Sequence, residues 1–478
     1  MRSLLAAVLA GLIAVGATAG MTAAARTQVT AGARTRVTAA ARTQVAAGAR
    51  TRVTAGAITR RPAGVTAARP GRIGEAGLGP GQRVYVFGLT TGPDGAIWFA
   101  DLGCAGLGRC GIGRIAAGGY ALYTRGLNRG SVPFQIALGP DGNLWFTDEG
   151  ARPAIGRISV AGRITEYSRG LPRGSNPFAI TRGPGRAMWF TVQGRHPAIG
   201  HIDMRGRITL RHRGLARRAT PFGIAALPSG IWFTDQGCAT GGGCRIGRVT
   251  PAGAIHESQA GLRAGAHPLA IAAGFGGTAW FADDSGAIGE VRADGTVREH
   301  ALAAGSAPVG IAPGPDGAIW FTDEGASPHL GRVDPSGAVR TYADGLEPGS
   351  LPAAIAPGAD GSLWFTDEGT TAAIGRVTTA APAPVRHPPG LSGRMRVGST
   401  LACRAPVMGA WAGLLPGTPF PYDGIRWLRD GKVVARGAGY RVRGRDAGHR
   451  LGCRDTLTYP PPLGVTAVIG SRTARAGR

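Results

Sequence analysis

Lysine is nearly absent from this chain: Lys432 is the single copy, and the rest of the 54 basic residues are arginine. Acidic residues are scarce too, 28 in all, so the 478 residues carry a formal charge of +26. Such a charge suggests a polyanionic partner, either nucleic acid or an anionic cell-envelope polymer. The arginines are spread along the whole chain, and no basic stretch is interleaved with aromatics that could stack on unpaired bases. Nucleic acid is therefore not expected, while an envelope polymer stays open. Beyond the N-terminus no apolar run is long enough to cross a bilayer as a helix, so no transmembrane span is expected. Glycine (82) and proline (34) are plentiful beside a hydrophobic fraction of 43%, which fits a turn-rich all-β protein rather than a disordered one.

The N-terminus reads MRSLLAAVLAGLIAVGATAG. Arg2 followed by the apolar run Leu4 to Val15 and the small residues Ala17-Thr18-Ala19 matches a secretory signal, expected over 1–24, with a secreted, extracellular product. Residues 25–56 are four octads: ARTQVTAG, ARTRVTAA, ARTQVAAG and ARTRVTAG. A period of eight suits neither helix nor heptad, and the segment offers no large apolar side chain to bury. A disordered tether is expected over 25–70.

The dodecapeptide GPDGNLWFTDEG, from Gly139 to Gly150, returns as GPDGAIWFTDEG from Gly314 and as GADGSLWFTDEG from Gly358. GPDG is turn chemistry, and NLWFT is a short aromatic and branched strand. The Trp-Phe pairs begin at Trp98, Trp145, Trp189, Trp232, Trp280, Trp320 and Trp364, spaced 40 to 48 residues apart. That step is one four-stranded blade, and seven copies make a ring. In the second copy PFQIALGP supplies strand A, NLWFTD strand B, AIGRISV strand C and RITEYSR strand D. The third copy departs at GPGRAMWFTV, and the fourth is one residue short at LPSGIW. The seventh stops after Val377 without a strand D. Its counterpart lies before the first copy, where RIGEAGLGPGQRVYVF from Arg72 matches RITEYSRGLPRGSNPF from Arg163 with one gap. The N-terminal segment is expected to close the ring by completing the last blade.

The pattern xPxxIxxGPDGxLWFTDxGxxxIGRIxxxGxITEY resembles the streptogramin lyase family, also called virginiamycin B lyase, over roughly 72–378. The resemblance implies a seven-bladed propeller that opens a cyclic depsipeptide antibiotic at its ester by elimination, with a magnesium ion. It also implies a histidine directly after the Pro that opens strand A in each of the last two blades, and a glutamate before that Pro in the last blade. Those positions hold Val309, Ala353 and Leu351 here. Neither Val nor Ala can take a proton, so the paired catalytic histidines of the resemblance are missing.

Strand direction puts the Pro-Phe pairs, the TDEG segments and the crossovers on one face and the GPDG turns on the other. Around the mouth of the first face, the residues after the Pro are Phe87, Phe134, Phe178, Phe222, Leu269, Val309 and Ala353. The first five are expected to line a ligand site. The third residue after each Trp is Asp in six copies (Asp101, Asp148, Asp235, Asp283, Asp323 and Asp367) and Val192 in the third, which points to a repeated hydrogen-bonding role. The next position varies: Leu102, Glu149, Gln193, Gln236, Asp284, Glu324 and Glu368. The resemblance places a functional glutamate at Glu368, and Glu324 with Glu368 could hold a hard cation through oxygens or form a solvated acidic rim. His267, just before Pro268, is the one histidine placed to act at the mouth, with Asp284 as an orienting partner. His267, Asp284, Glu324 and Glu368 are thus the catalytic candidates. No cofactor is expected beyond the magnesium that the resemblance implies.

Cys104 and Cys110 bound one glycine-rich insertion between strands B and C, and Cys238 and Cys244 bound another. Each pair reads as a disulfide stapling its own loop, with a zinc site drawn from all four as the alternative. After a proline-rich linker at 381–390, Cys403, Trp427 and Cys453 lie on short alternating strands. This part, 391–478, resembles the immunoglobulin-like (Ig-like) modules of exported bacterial proteins and implies a Cys403–Cys453 bridge. The expected whole is an all-β, monomeric chain: a seven-bladed β-propeller over 71–380 followed by an Ig-like β-sandwich. Two functions follow. One is a propeller that binds a small cyclic peptide, another ligand or a surface. The alternative is an active lyase of the virginiamycin B type.

Overall fold

The computed structural model describes residues 70–77, 86–102, 110–116, 119–370, 372–379, 385–387, 390–404, 407–408, 425–437, 439–458, 466–471 and 473–477. The expected signal and all of the tether up to 69 lie outside these, as does Cys104. Among the described residues the architecture is all β, and seven sheets of four antiparallel strands account for 70–379. In the second sheet, strand A is Pro133–Leu138, B is Leu144–Asp148, C is Ala154–Ile158 and D is Ile164–Tyr167. Strand A of each sheet packs on strand A of the next, and Pro352–Pro357 of the seventh packs on Gly88–Thr91 of the first, so the seven blades form a closed ring.

Each element of the repeat has a packing reason. The Phe of every Trp-Phe pair lies against the strand C Gly, which follows an Ile or Leu in each blade. A Cβ at Gly156 would fall 2.0 Å from Phe146 Cζ, so the ring occupies the space a side chain would take. The Trp points to the other side of the same strand. In blades 1, 2 and 6 its indole Nε1 donates to the Asp of the A–B turn at 3.0 Å: Trp98 to Asp94, Trp145 to Asp141 and Trp320 to Asp316. The same carboxylate accepts Arg114 Nε at 2.7 Å and Arg332 Nε at 2.8 Å, and pairs with Arg157 at 3.6 Å. GPDG is thus a latch as well as a turn. These three tryptophans are fully buried.

Ring closure runs through the N-terminal strand, Ile73–Gly77, which lies antiparallel beside Ala373–Thr378 with Ile73 opposite Val377. It supplies the strand D that the seventh repeat lacks.

In the C-terminal part, a three-stranded sheet (Gly390–Ser392, Thr400–Arg404, Gly439–Arg441) accompanies a five-stranded one built around Arg450–Thr458. Cys403 on the first sheet and Cys453 on the second form a disulfide, with Trp427 fully buried in the same core. The expected linker at 381–390 is not wholly irregular. Its prolines flank Val385–His387, and that proline-free triplet pairs with Val407–Met408.

Candidate functional site

The mouth rests on two backbone-directed contacts that recur from blade to blade. The Asp ending strand B grips the main chain that enters strand A. Asp148, Asp235, Asp283, Asp323 and Asp367 accept the amides of Val132, Thr220, His267, Ala307 and Leu351 at 2.5–2.9 Å. All five carboxylates are buried. The Thr one residue earlier ties neighbouring blades. Thr147, Thr191 and Thr234 donate to the carbonyls of Phe178, Phe222 and Leu269 at 2.6–2.7 Å, and Thr322 donates to that of Ala353. The residue after the Pro is therefore fixed by its own carbonyl at the mouth in blades 3, 4, 5 and 7.

Four of those residues form a continuous row. Phe87 lies 4.8 Å from Phe134 between ring centroids, Phe134 lies 4.2 Å from Phe178, and Phe178 lies 4.4 Å from Phe222. Five ligand-facing side chains were expected, and the arrangement differs. Phe134 and Phe178 are buried by the rings on either side, and Leu269 is fully buried. Phe87 and Phe222, at the ends of the row, keep partial exposure.

The polar half of the mouth comes from blades 5, 6 and 7. His267 Nδ1 is 2.9 Å from Asp284 Oδ1, so the histidine and its expected partner meet. The Asp284 hydrogen bond raises the His267 pKa, against the opposing effect of burial. The acidic residues beside them form an arc. Glu324 is pushed up to about 7 by burial and then by Asp323, Asp367 and Asp284. Glu368 is raised well above the usual carboxylate range by burial and by Glu324. Its Oε1 is shut from solvent and meets no donor among the described residues. Across the mouth, burial lifts Glu149 to about 8, with Asp148 adding to the shift. At neutral pH this half of the mouth holds protons that ordinary carboxylates would have lost.

The sequence profile of the virginiamycin B lyase family matches residues 81–305 and 284–392. The chain belongs to the virginiamycin B lyase family. Two solved structures are similar at 26% identity, each over 64% of this chain and 99% of the other. One is a catalytically inactive virginiamycin B lyase from Staphylococcus aureus with quinupristin, at a TM-score of 0.55. The other is the selenomethionine-substituted enzyme from the same organism, at 0.56. No curated relative matches by sequence.

Within this virginiamycin B lyase-family fold, Val309 is half-buried and Ala353 is buried, at the two positions where the family resemblance calls for histidines. Cys238 and Cys244 form a disulfide, and their sulfurs lie within 4.8 Å of a His267 ring nitrogen. Two sulfurs joined to each other are not thiolate ligands, which removes this pair from the zinc alternative in the form shown. Cys110 is disulfide-bonded.

Sequence reasoning overlooked a second set of acids. Glu166, Glu257 and Glu299 on strands D accept amides of the crossovers, from Asn128, Ala216 and Arg263. Burial raises all three, Glu166 to about 8 and Glu257 to about 7. Their signal was present as a Glu at one fixed place in RITEY, AIHES and TVREH.

Proposed function

We propose that this virginiamycin B lyase-family propeller is an exported binding protein for a small ligand, such as a cyclic peptide, and not a lyase working through the family's two histidines. The observation that carries the reading is the replacement of both by Val309 and Ala353, with Leu351 where the resemblance places a glutamate. Elimination needs a base within hydrogen-bond reach of the proton removed, and these side chains offer none. The intramolecular disulfides suit an oxidising compartment. The Ig-like reading of 391–478 rests on its buried Trp427 beside the Cys403–Cys453 bridge between sheets, and spacing or adhesion is the role we propose for it.

The ligand we infer has an apolar part for the exposed edges of Phe87 and Phe222 and a cationic or hydrogen-bond-donating part for the arc of Asp284, Glu324 and Glu368. A magnesium ion, implied by the family, also fits this arc. Glu324 and Glu368 would hold it through oxygens, and the unpartnered Glu368 Oε1 is the donor such an ion needs. Such an ion would supply Lewis-acid polarisation of a ligand carbonyl. The protein's own part would be to place the Glu324 and Glu368 carboxyls near each other as oxygen ligands.

One contact favours the rival reading of a lyase with a relocated base: the 2.9 Å pair of His267 and Asp284. Incubation with a type B streptogramin decides between them. Elimination leaves the mass unchanged and shifts chromatographic retention, whereas hydrolysis adds one water. We expect saturable binding in calorimetry with no ring opening beyond the background rate. Fast opening, lost in His267→Ala, would establish the rival.

A further inference from the structure

The latch of Trp, turn Asp and strand C Arg is dismantled in blade 3, on the face opposite the mouth. Its turn reads Gly183-Pro184-Gly185-Arg186, so no carboxylate stands four residues before Trp189. Strand C carries His201 in place of arginine, and strand D carries Arg211 where blades 1, 2 and 6 place Tyr123, Tyr167 and Tyr342 against their Trp. Trp189 Nε1 reaches only the Pro184 carbonyl, at 3.5 Å, against 3.0 Å to Asp in the intact latches. The result is a cavity of about 350 Å³ lined by Pro184, Trp189, His201, Asp203, Arg207 and Arg211.

Its donors are built in but unused. His201 stacks on Trp189 with centroids 4.9 Å apart, and the Arg211 guanidinium lies 6.0 Å from the indole centroid. His201 Nδ1 and Arg211 Nε are both shut from solvent and meet no hydrogen-bond partner among the described residues. Leaving such groups unsatisfied costs free energy that an incoming acceptor recovers. The carboxylate that lines the cavity, Asp203, is already engaged by the amides of Arg205 and Arg207 and by Arg207 Nε. With two arginines against one aspartate, the lining carries one net positive charge. Burial and Arg211 both lower the His201 pKa, so the imidazole is neutral and free to donate from one nitrogen.

We propose that this cavity binds a small carboxylate, whose oxygens take the place that Asp94, Asp141 and Asp316 hold in the intact latches and accept from Trp189, His201 and Arg211. Blades 1 and 6 are internal templates for that chemistry: there an Asp carboxylate bridges indole and guanidinium at 2.7–3.0 Å. A volume of about 350 Å³ admits a small molecule around that group.

The test uses the full chain, titrated calorimetrically with acetate, succinate and benzoate, and in parallel with inorganic phosphate. A first variant, Gly185→Asp with Arg186→Gly, rebuilds the GPDG turn and supplies the missing carboxylate in place. A second, Arg211→Gln, removes a donor on the outer strand without altering the turn. Saturable carboxylate binding is expected in the natural chain, weakened at least about tenfold in each variant, as loss of one charge-assisted hydrogen bond predicts. The rebuilt turn should also melt no lower than the natural chain. Absence of saturable binding overturns the proposal, as does carboxylate binding that survives the rebuilt turn. Preference for phosphate over every carboxylate overturns the ligand class.

Discussion

Glu75 accepts a hydrogen bond from Ser350 Oγ at 3.4 Å, joining parts of the chain 275 residues apart. The same carboxylate accepts the Glu347 amide at 3.3 Å, reproducing what Glu166 does for Asn128 and Ser131 within blade 2. The N-terminal strand thus repeats the contacts of a strand D as well as its backbone pairing. A chain starting at Pro70 should melt close to the full-length protein. One starting at Val86, without Ile73–Gly77, should lose cooperative unfolding at the same temperature. Scanning calorimetry distinguishes them, and equal melting of the two truncations would contradict closure by this strand.

The blade-to-blade threonines give a second expectation. Thr147→Val keeps the shape but strands the Phe178 carbonyl and the Gln135 amide, both now served by one hydroxyl. A loss of about 1–3 kcal/mol is expected from urea denaturation. Blade 5 carries Ala282 at this position, so Ala282→Thr, aimed at the Val309 carbonyl, should be neutral or stabilising.

Buried glutamates set the pH dependence of stability. Glu149, Glu166, Glu257 and Glu324 all have folded pKa values of about 7 to 8, raised from 4.5. A raised pKa contributes stability that is complete below 4.5 and lost as pH climbs through the folded value. The melting temperature should therefore fall between pH 5 and pH 8. Glu149→Gln should raise it by about 2–4 °C at pH 8 and leave it unchanged at pH 5. A melting temperature that is flat or rising over that range would show that these carboxyls ionise normally.

For His267 the sign follows from its partner. The Asp284 hydrogen bond is the largest influence and raises the pKa above 6.5, so the pair stabilises the fold at acid pH and loses that contribution as pH rises through the folded value. An NMR titration should place this imidazole above 6.5, and Asp284→Asn should bring it down, because burial then acts with less opposition. An unchanged midpoint in the variant would separate the two residues functionally.

Much of the scaffold was legible because each structural role is carried by a distinct residue type. The Trp-Phe pairs mark strand B since one ring needs the strand C glycine and the other needs the turn aspartate. The likeness of RIGE to RITE exposed the borrowed strand for the same reason. His267 and Asp284 could be paired because both sit at fixed offsets within one repeat. The self-covering of Phe134 and Phe178 was not legible, since it depends on rings from four blades lying within stacking distance. Nor were the raised glutamates: burial raises them first, and for Glu324 and Glu368 acids of neighbouring blades add to it, which no single repeat displays. In blade 3 the sequence departure GPGR was visible, but the cavity it opens needed His201 and Arg211 in space.

The grip beneath the mouth is almost entirely a grip on main chain. Asp148 and its counterparts hold amides, and Thr147 and its counterparts hold carbonyls, so neither contact asks anything of the side chain presented above it. Where these grips are made, the blade therefore offers sockets whose occupants are replaceable. Phe, Leu, Val and Ala all fill the socket after the Pro, and Leu, Glu, Gln and Asp all fill the socket after the Asp position. A lineage can retune what the ring recognises one socket at a time without renegotiating its fold, and can give up a histidine from two sockets while the ring stays shut.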